Sequence, residues 1–157
     1  MHYETIVIKP LALVLAWEGK ALSGLSLDWT EGHVETKNMS EHAGHLKKAL
    51  ARFVFGKEPI WPELPFKWDE VSPFARRVLE TLELECGSGE TLSYGELARL
   101  AGKPGAARAV GRVMAHNPWP LIYPCHRVIG ASGKLTGFGG AGLKMKAYLL
   151  ELEGRGE

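Results

Sequence analysis

Cysteine is scarce in this chain, and acidic residues are missing from one long stretch of it. Cys86 and Cys125 are the only cysteines in 157 residues, too few for a disulfide framework. No apolar run reaches transmembrane length, and the start, Met1-His2-Tyr3-Glu4, has neither the basic nor the apolar segment of a signal peptide. No membrane association is expected, and the expected cytoplasmic setting would keep both thiols reduced. Net charge is only +1, yet residues 1–70 carry eight Lys/Arg against ten Asp/Glu, while residues 71–157 carry eleven against eight. Between Glu96 and Glu151 there is no acid at all; Arg99, Lys103, Arg108, Arg112, Arg127, Lys134, Lys144 and Lys146 fill that window. Charge of one sign over such a length suits a polyanion such as nucleic acid. A solvated basic face balanced by acids elsewhere would give the same pattern.

What is present reads as a mixed α/β (α+β) chain in two units. The first covers residues 1–70. Short apolar or alternating runs over 3–8, 11–17 and 21–27 predict strands separated by turns. Ser40 then caps a helix to about residue 55, with Leu46, Leu50, Phe53 and Val54 as its apolar stripe and Gly56 as its stop. His42 and His45 lie three apart on it, but no third ligand is near, so they read as surface polar residues and no metal is expected. Pro59, Pro62 and Pro65 predict a linker over about 57–71.

The second unit, 72–157, opens with Ser72 as N-cap and Pro73 at the first helical position. Phe74, Val78, Leu79 and Leu82 form the buried face of that helix, and Cys86 in the glycine-containing loop after it reads as structural. Ser93 and Glu96 fit a capping box opening a short helix to Leu100. After the turn Gly102-Lys103-Pro104-Gly105, a second helix runs from Ala106 to about His116 and stops at Asn117-Pro118. This is the pattern of a helix-turn-helix. Ala106, Ala107, Ala109, Gly111 and Ala115 make the second helix thin, and Arg108 and Arg112 lie four apart on one face. Such a helix can approach a phosphate backbone or a narrow groove, or pack tightly on another helix. Glycine-rich stretches over 130–133 and 137–142 read as walls around a site, and a last helix is predicted over 143–153.

The chemistry sits at Pro124-Cys125-His126-Arg127-Val128-Ile129. Cys125 is a candidate nucleophile, His126 a base able to help form thiolate, and Arg127 a fixed cation. Adjacent side chains on a strand point to opposite faces, so the pair alone does not place the base on the sulfur.

These motifs resemble the O6-alkylguanine-DNA alkyltransferases, the family of methylated-DNA–protein-cysteine methyltransferases. The likeness spans residues 72–154. It is carried by Ser93-Tyr94-Gly95-Glu96-Leu97-Ala98, Ala106-Ala107-Arg108-Ala109-Val110-Gly111, Asn117-Pro118, the Cys125 motif, and Gly142-Leu143 with Leu149-Leu150-Glu151-Leu152-Glu153-Gly154. The resemblance implies a ribonuclease-H-like first domain and a mostly helical second domain that both binds DNA and accepts the alkyl group. It implies Cys125 as the acceptor, His126 as a base acting on the thiol through a water, and Glu153 as the group orienting the imidazole. Tyr94 would help rotate the nucleotide out and polarise the base, Arg108 would fill the vacated stack, and Asn117 would be the hinge between recognition helix and site.

DNA contacts are expected from Arg108, Ala107, Arg112, Tyr94, Arg127 and Lys134, and pocket walls from Pro124, Phe138, Gly139, Gly140 and Trp119. Phe138 stands where the family often has Tyr, so it can wall the pocket but cannot hydrogen-bond the lesion. The implied partner is double-stranded DNA containing O6-alkylguanine, with O4-alkylthymine a second candidate lesion; the chain is expected to act as a monomer and without cofactor. The alkyl carbon is out of reach while the base is stacked, so the nucleotide must be extruded.

Three other classes are weaker. Alkyltransferase-like binding modules lack the acceptor cysteine that Cys125 supplies. A helix-turn-helix regulator needs readout side chains where this helix offers alanines and two arginines. A papain-like hydrolase leaves the acid-free window unexplained.

Overall fold

The computed structural model describes residues 1–136 and 142–154. The three predicted strands form an antiparallel meander in the order β1 (His2–Ile8), β2 (Leu11–Glu18), β3 (Ala21–Trp29), with Thr5 opposite Val14 and Leu15 opposite Leu25. Ile6, Leu13, Leu15, Leu25 and Leu27 are buried. Helix α1 (Glu41–Val54) turns Ala43, Leu46, Leu50 and Phe53 inward. Its N-cap Ser40 accepts from the Ala43 amide at 3.2 Å. Ser40 Oγ in turn donates to the buried carboxylate of Glu4, which also accepts from Trp17 Nε1 at 2.9 Å. Burial alone would raise the Glu4 pKa, but the hydrogen bonds from Ser40 and Trp17 outweigh it and hold the group below its ordinary value.

The proline-rich segment lies along the outer edge of β3. Pro65 O accepts from the Leu22 amide at 2.7 Å, and the Lys67 amide donates to Leu22 O at 2.9 Å. Proline has no N–H to continue a ladder, so the pairing stops at a single bridge between Leu22 and Phe66. Phe66 and Trp68 stack against Trp119 and Tyr123 with ring centroids 4.8–5.5 Å apart.

Helix α2 (Pro73–Glu85) starts as predicted: Ser72 Oγ accepts from the Ala75 amide at 3.1 Å, and Val78, Leu79 and Leu82 are buried. Helix α3 (Tyr94–Leu100) carries both bonds of the Ser93–Glu96 capping box. Helix α4 (Ala107–Ala115) packs on α3, and α5 (Gly142–Gly154) closes the described chain. One pairing was not foreseen: β4 (Leu92–Ser93) lies parallel to β5 (Val128–Ile129), so the start of α3 is hydrogen-bonded to the chain just beyond Cys125. A mixed α/β fold is thus what the sequence predicted, while the ribonuclease-H-like comparison rests on the family resemblance alone. Among the described residues no helix is long and apolar enough to cross a membrane.

Candidate active site and nucleic-acid face

The segment leaving α4 is pinned before it reaches the thiol. Asn117 Oδ1 accepts from the Trp119 amide at 3.0 Å, and its Nδ2 donates to Tyr123 O at 2.8 Å. The Leu25 amide on β3 donates to Pro118 O at 2.7 Å, and Trp119 Nε1 donates to Leu22 O at 3.1 Å. Leu121 takes φ +77° while its side chain is buried, a conformation branched residues rarely adopt. The bonds on either side of it hold the segment there.

Cys125, His126 and Arg127 then form one 3-10 turn instead of a strand. The turn puts all three side chains in the interior, where a strand would have sent His126 to the opposite face from Cys125. Burial raises the Cys125 thiol pKa, opposed by a hydrogen bond from Asn117 and by the Lys146 ammonium. Burial lowers the His126 pKa, helped by Arg127 and Lys146 and opposed by Glu153, so the ring is held neutral at neutral pH. Its Nε2 lies 3.0 Å from Glu153 Oε1, close enough for strong electrostatic contact but off the hydrogen-bonding direction of the ring. Nδ1 is buried and has no hydrogen-bond partner among the described residues. Burial would raise the Glu153 pKa, yet His126 and Arg127 together bring it below its ordinary value, leaving a carboxylate.

Arg127 and Trp119 stand differently from expectation. Arg127 was expected on DNA; its guanidinium is turned inward, with Nε 3.1 Å from both oxygens of Glu153, Nη2 2.6 Å from Oε2, and Nη1 2.7 Å from Cys86 O. A buried carboxylate needs a partner, and Arg127 is the cation that reaches it. Trp119 was expected to wall the pocket; it is fully buried in the aromatic cluster with Phe66, Trp68 and Tyr123. Pro124 leads directly into the turn as its N-terminal flank. The expected pocket residues Phe138, Gly139 and Gly140 lie outside the described residues. Cys86 is buried and burial pushes its thiol up to about 11, in keeping with a structural role.

Lys146 was missed. It is 1% exposed, with Nζ donating to Val128 O at 2.5 Å and Thr136 O at 2.9 Å. The signal was available: 146, 149 and 153 fall on one face of the last helix, a face otherwise occupied by Leu149 and the site carboxylate Glu153. Of the eight cations in the acid-free window, Arg127 and Lys146 therefore point inward, and Arg99, Lys103, Arg108, Arg112, Lys134 and Lys144 are exposed. Ala107 and Tyr94 are half-buried beside them. The Tyr94 ring lies against α4 where Gly111 has no side chain; a Cβ there would sit 3.9 Å from its Cδ1.

An exposed basic helix pair together with a buried thiol, imidazole and carboxylate fits the class of nucleic-acid-binding proteins that shelter a thiol in the interior. The model of the 6-O-methylguanine DNA methyltransferase DNA-binding domain matches residues 73–155. Over 158 residues the chain is 42% identical to the methylated-DNA–protein-cysteine methyltransferase of Mycobacterium tuberculosis, spanning 98% of this chain and 92% of that one. It is 35% identical to the constitutive protein of that name from Bacillus subtilis, over 98% of this chain and 96% of the relative. The solved structure of M. tuberculosis O6-methylguanine methyltransferase matches with a TM-score of 0.77 at 39% identity, over 98% of this chain and 93% of that one. The structure of M. tuberculosis OGT in complex with DNA gives the same score and identity, over 99% and 94%. The chain belongs to the methylated-DNA–protein-cysteine methyltransferase family.

Proposed function

We propose that this chain repairs duplex DNA by moving the alkyl group of O6-alkylguanine onto Cys125, once per molecule. The observation that carries this reading is the buried Cys125–His126–Glu153 group, joined to the start of the exposed α3–α4 pair by the β4–β5 pairing just beyond it. Neutral His126, with Nδ1 unpaired and Glu153 on its other nitrogen, suits a base that takes the thiol proton through a water. Sγ then attacks the alkyl carbon; the S–C bond forms as the C–O6 bond breaks, and the electron pair passes to guanine. Tyr94 supplies a hydroxyl to the departing base, whose proton is restored from the imidazolium through solvent. The thioether has no easy hydrolytic exit, so the reaction ends there.

Helices α3 and α4 would enter the minor groove with Ala107 allowing close approach and Arg108 filling the space left by the extruded nucleotide. Arg112 and Lys134 would hold phosphates. We assign DNA binding and alkyl acceptance to residues 72–157, with 1–70 as a supporting domain of ribonuclease-H-like type, acting as a monomer in the cytoplasm. O4-alkylthymine is a second substrate of the same displacement chemistry.

The division of labour is tested by comparing duplex DNA with free O6-benzylguanine. Arg108→Ala should weaken binding to lesion-bearing duplex by about tenfold or more and change reaction with the free base by less than about twofold. Equal loss on both substrates would remove Arg108 from the stack-filling role.

A further inference from the structure

Thr136 joins two groups that sequence motifs do not connect. The Tyr94 hydroxyl lies 3.0 Å from Thr136 Oγ1 and 3.3 Å from Thr136 O, across 42 residues of chain. The same carbonyl accepts from Lys146 Nζ at 2.9 Å. The Lys146 ammonium and the Cys125 thiol interact favourably when the sulfur is ionised, each shifting the other towards its charged form. Thr136 therefore bridges the Tyr94 phenol and the buried Lys146 ammonium, the charge that favours the Cys125 thiolate.

Tyr94 needs such a hold. It occupies the first position of α3, and its ring packs against α4 at Gly111, which leaves the aim of the hydroxyl to a polar partner. A tyrosine hydroxyl with no tether would sample solvent, and a donor must be aimed before the transition state to be effective. Thr136 provides an oxygen able to donate or accept, so it can keep the phenol in place and still release it to a base that offers a better acceptor.

We propose that Thr136 is a positioning residue for alkyl transfer: its hydroxyl aims the Tyr94 phenol, and its carbonyl is itself anchored by Lys146 of α5. This rests on the reading of Cys125 as acceptor and Tyr94 as donor.

The test is a double-mutant cycle of Thr136→Val and Tyr94→Phe, read as the plateau rate of single-turnover transfer from duplex O6-methylguanine. Thr136→Val keeps the shape and removes the hydroxyl. It should slow transfer about three- to tenfold, the worth of one hydrogen bond, with little change in the DNA concentration at half-maximal rate. Thr136→Ser should restore at least half of the lost rate. In the Tyr94→Phe background Thr136→Val should change the rate by less than about twofold. An equal slowing in both backgrounds, or no slowing at all, would overturn the proposal while leaving the alkyl-transfer reading intact. Wild-type chain that gains no methyl group on Cys125 would overturn the reading itself.

Discussion

At the scale of single residues, the site is a set of charges whose balance depends on each member. Glu153 is shared: Arg127 takes both oxygens and His126 faces one of them. Removing Arg127 leaves a carboxylate in the interior with only a neutral imidazole beside it. Arg127→Ala should lower stability by about 3–5 kcal/mol, the usual loss on breaking a buried ion pair, measured by urea unfolding. Because its charge is internal, the substitution should leave the salt slope of DNA binding unchanged in Arg127→Met if that variant folds. Arg112→Ala, by contrast, should reduce that slope by about one.

The pH dependence follows from the directions of the same groups. Glu153 has its pKa lowered in the folded chain, so its contribution is present above the unfolded carboxyl value and is lost as pH falls through the folded one. His126 also has its pKa lowered, from 6.5, so below that pH the unfolded chain binds a proton that the folded chain refuses. Both terms destabilise the fold on acidification, and neither acts above neutrality. Thermal melting from pH 8 down to pH 4 should show a steady midpoint down to about 6.5 and a fall below it. Glu153→Gln should shrink the lower part of that fall and slow alkyl transfer.

At the scale of elements, local chemistry was legible and distant pairing was not. Ser40, Ser72 and Ser93 each cap the helix the sequence assigned to them, because an N-cap needs only its own side chain and an amide three residues on. The β4–β5 pairing was invisible, since two-residue strands give no periodic signal and lie over thirty residues apart. The inward turn of Arg127 was missed for a related reason: its partners, Cys86 just past the end of α2 and Glu153 on α5, are distant in sequence. Lys146 was readable from helical spacing, but membership of a basic window concealed it. The thin face of α4 carries a consequence for Tyr94. Gly111→Leu should push the ring from its seat against α4, slow transfer from duplex DNA at least about tenfold, and leave the melting midpoint nearly unchanged, since Gly111 is not deeply buried.

At the scale of the whole molecule, the N-terminal sheet supports the reactive segment from behind. Strand β3 receives the proline-rich segment at Leu22 and also bonds Pro118 and Trp119, the two residues that follow Asn117 on the way to Cys125. The cation–π contact of Arg76 over Trp68, at 4.4 Å, extends this packing to α2. Trp119→Ala should therefore cost about 3–5 kcal/mol of stability, the scale of a large cavity in a core, whereas Trp119→Phe should fold and change the transfer rate by less than about threefold. The sequence assigned Trp119 to the pocket wall, whereas the fold puts it in the aromatic packing behind the segment that leads to Cys125.

The central claim is that Cys125 keeps the alkyl group. Intact-protein mass spectrometry after incubation with a duplex bearing one O6-methylguanine, followed by peptide mapping, tests it directly. The account predicts a gain of one methyl group per chain, located on Cys125 and absent from Cys125→Ala, however long the incubation. Tight binding to the lesion with no mass gain, or a methyl group on any other residue, would contradict it.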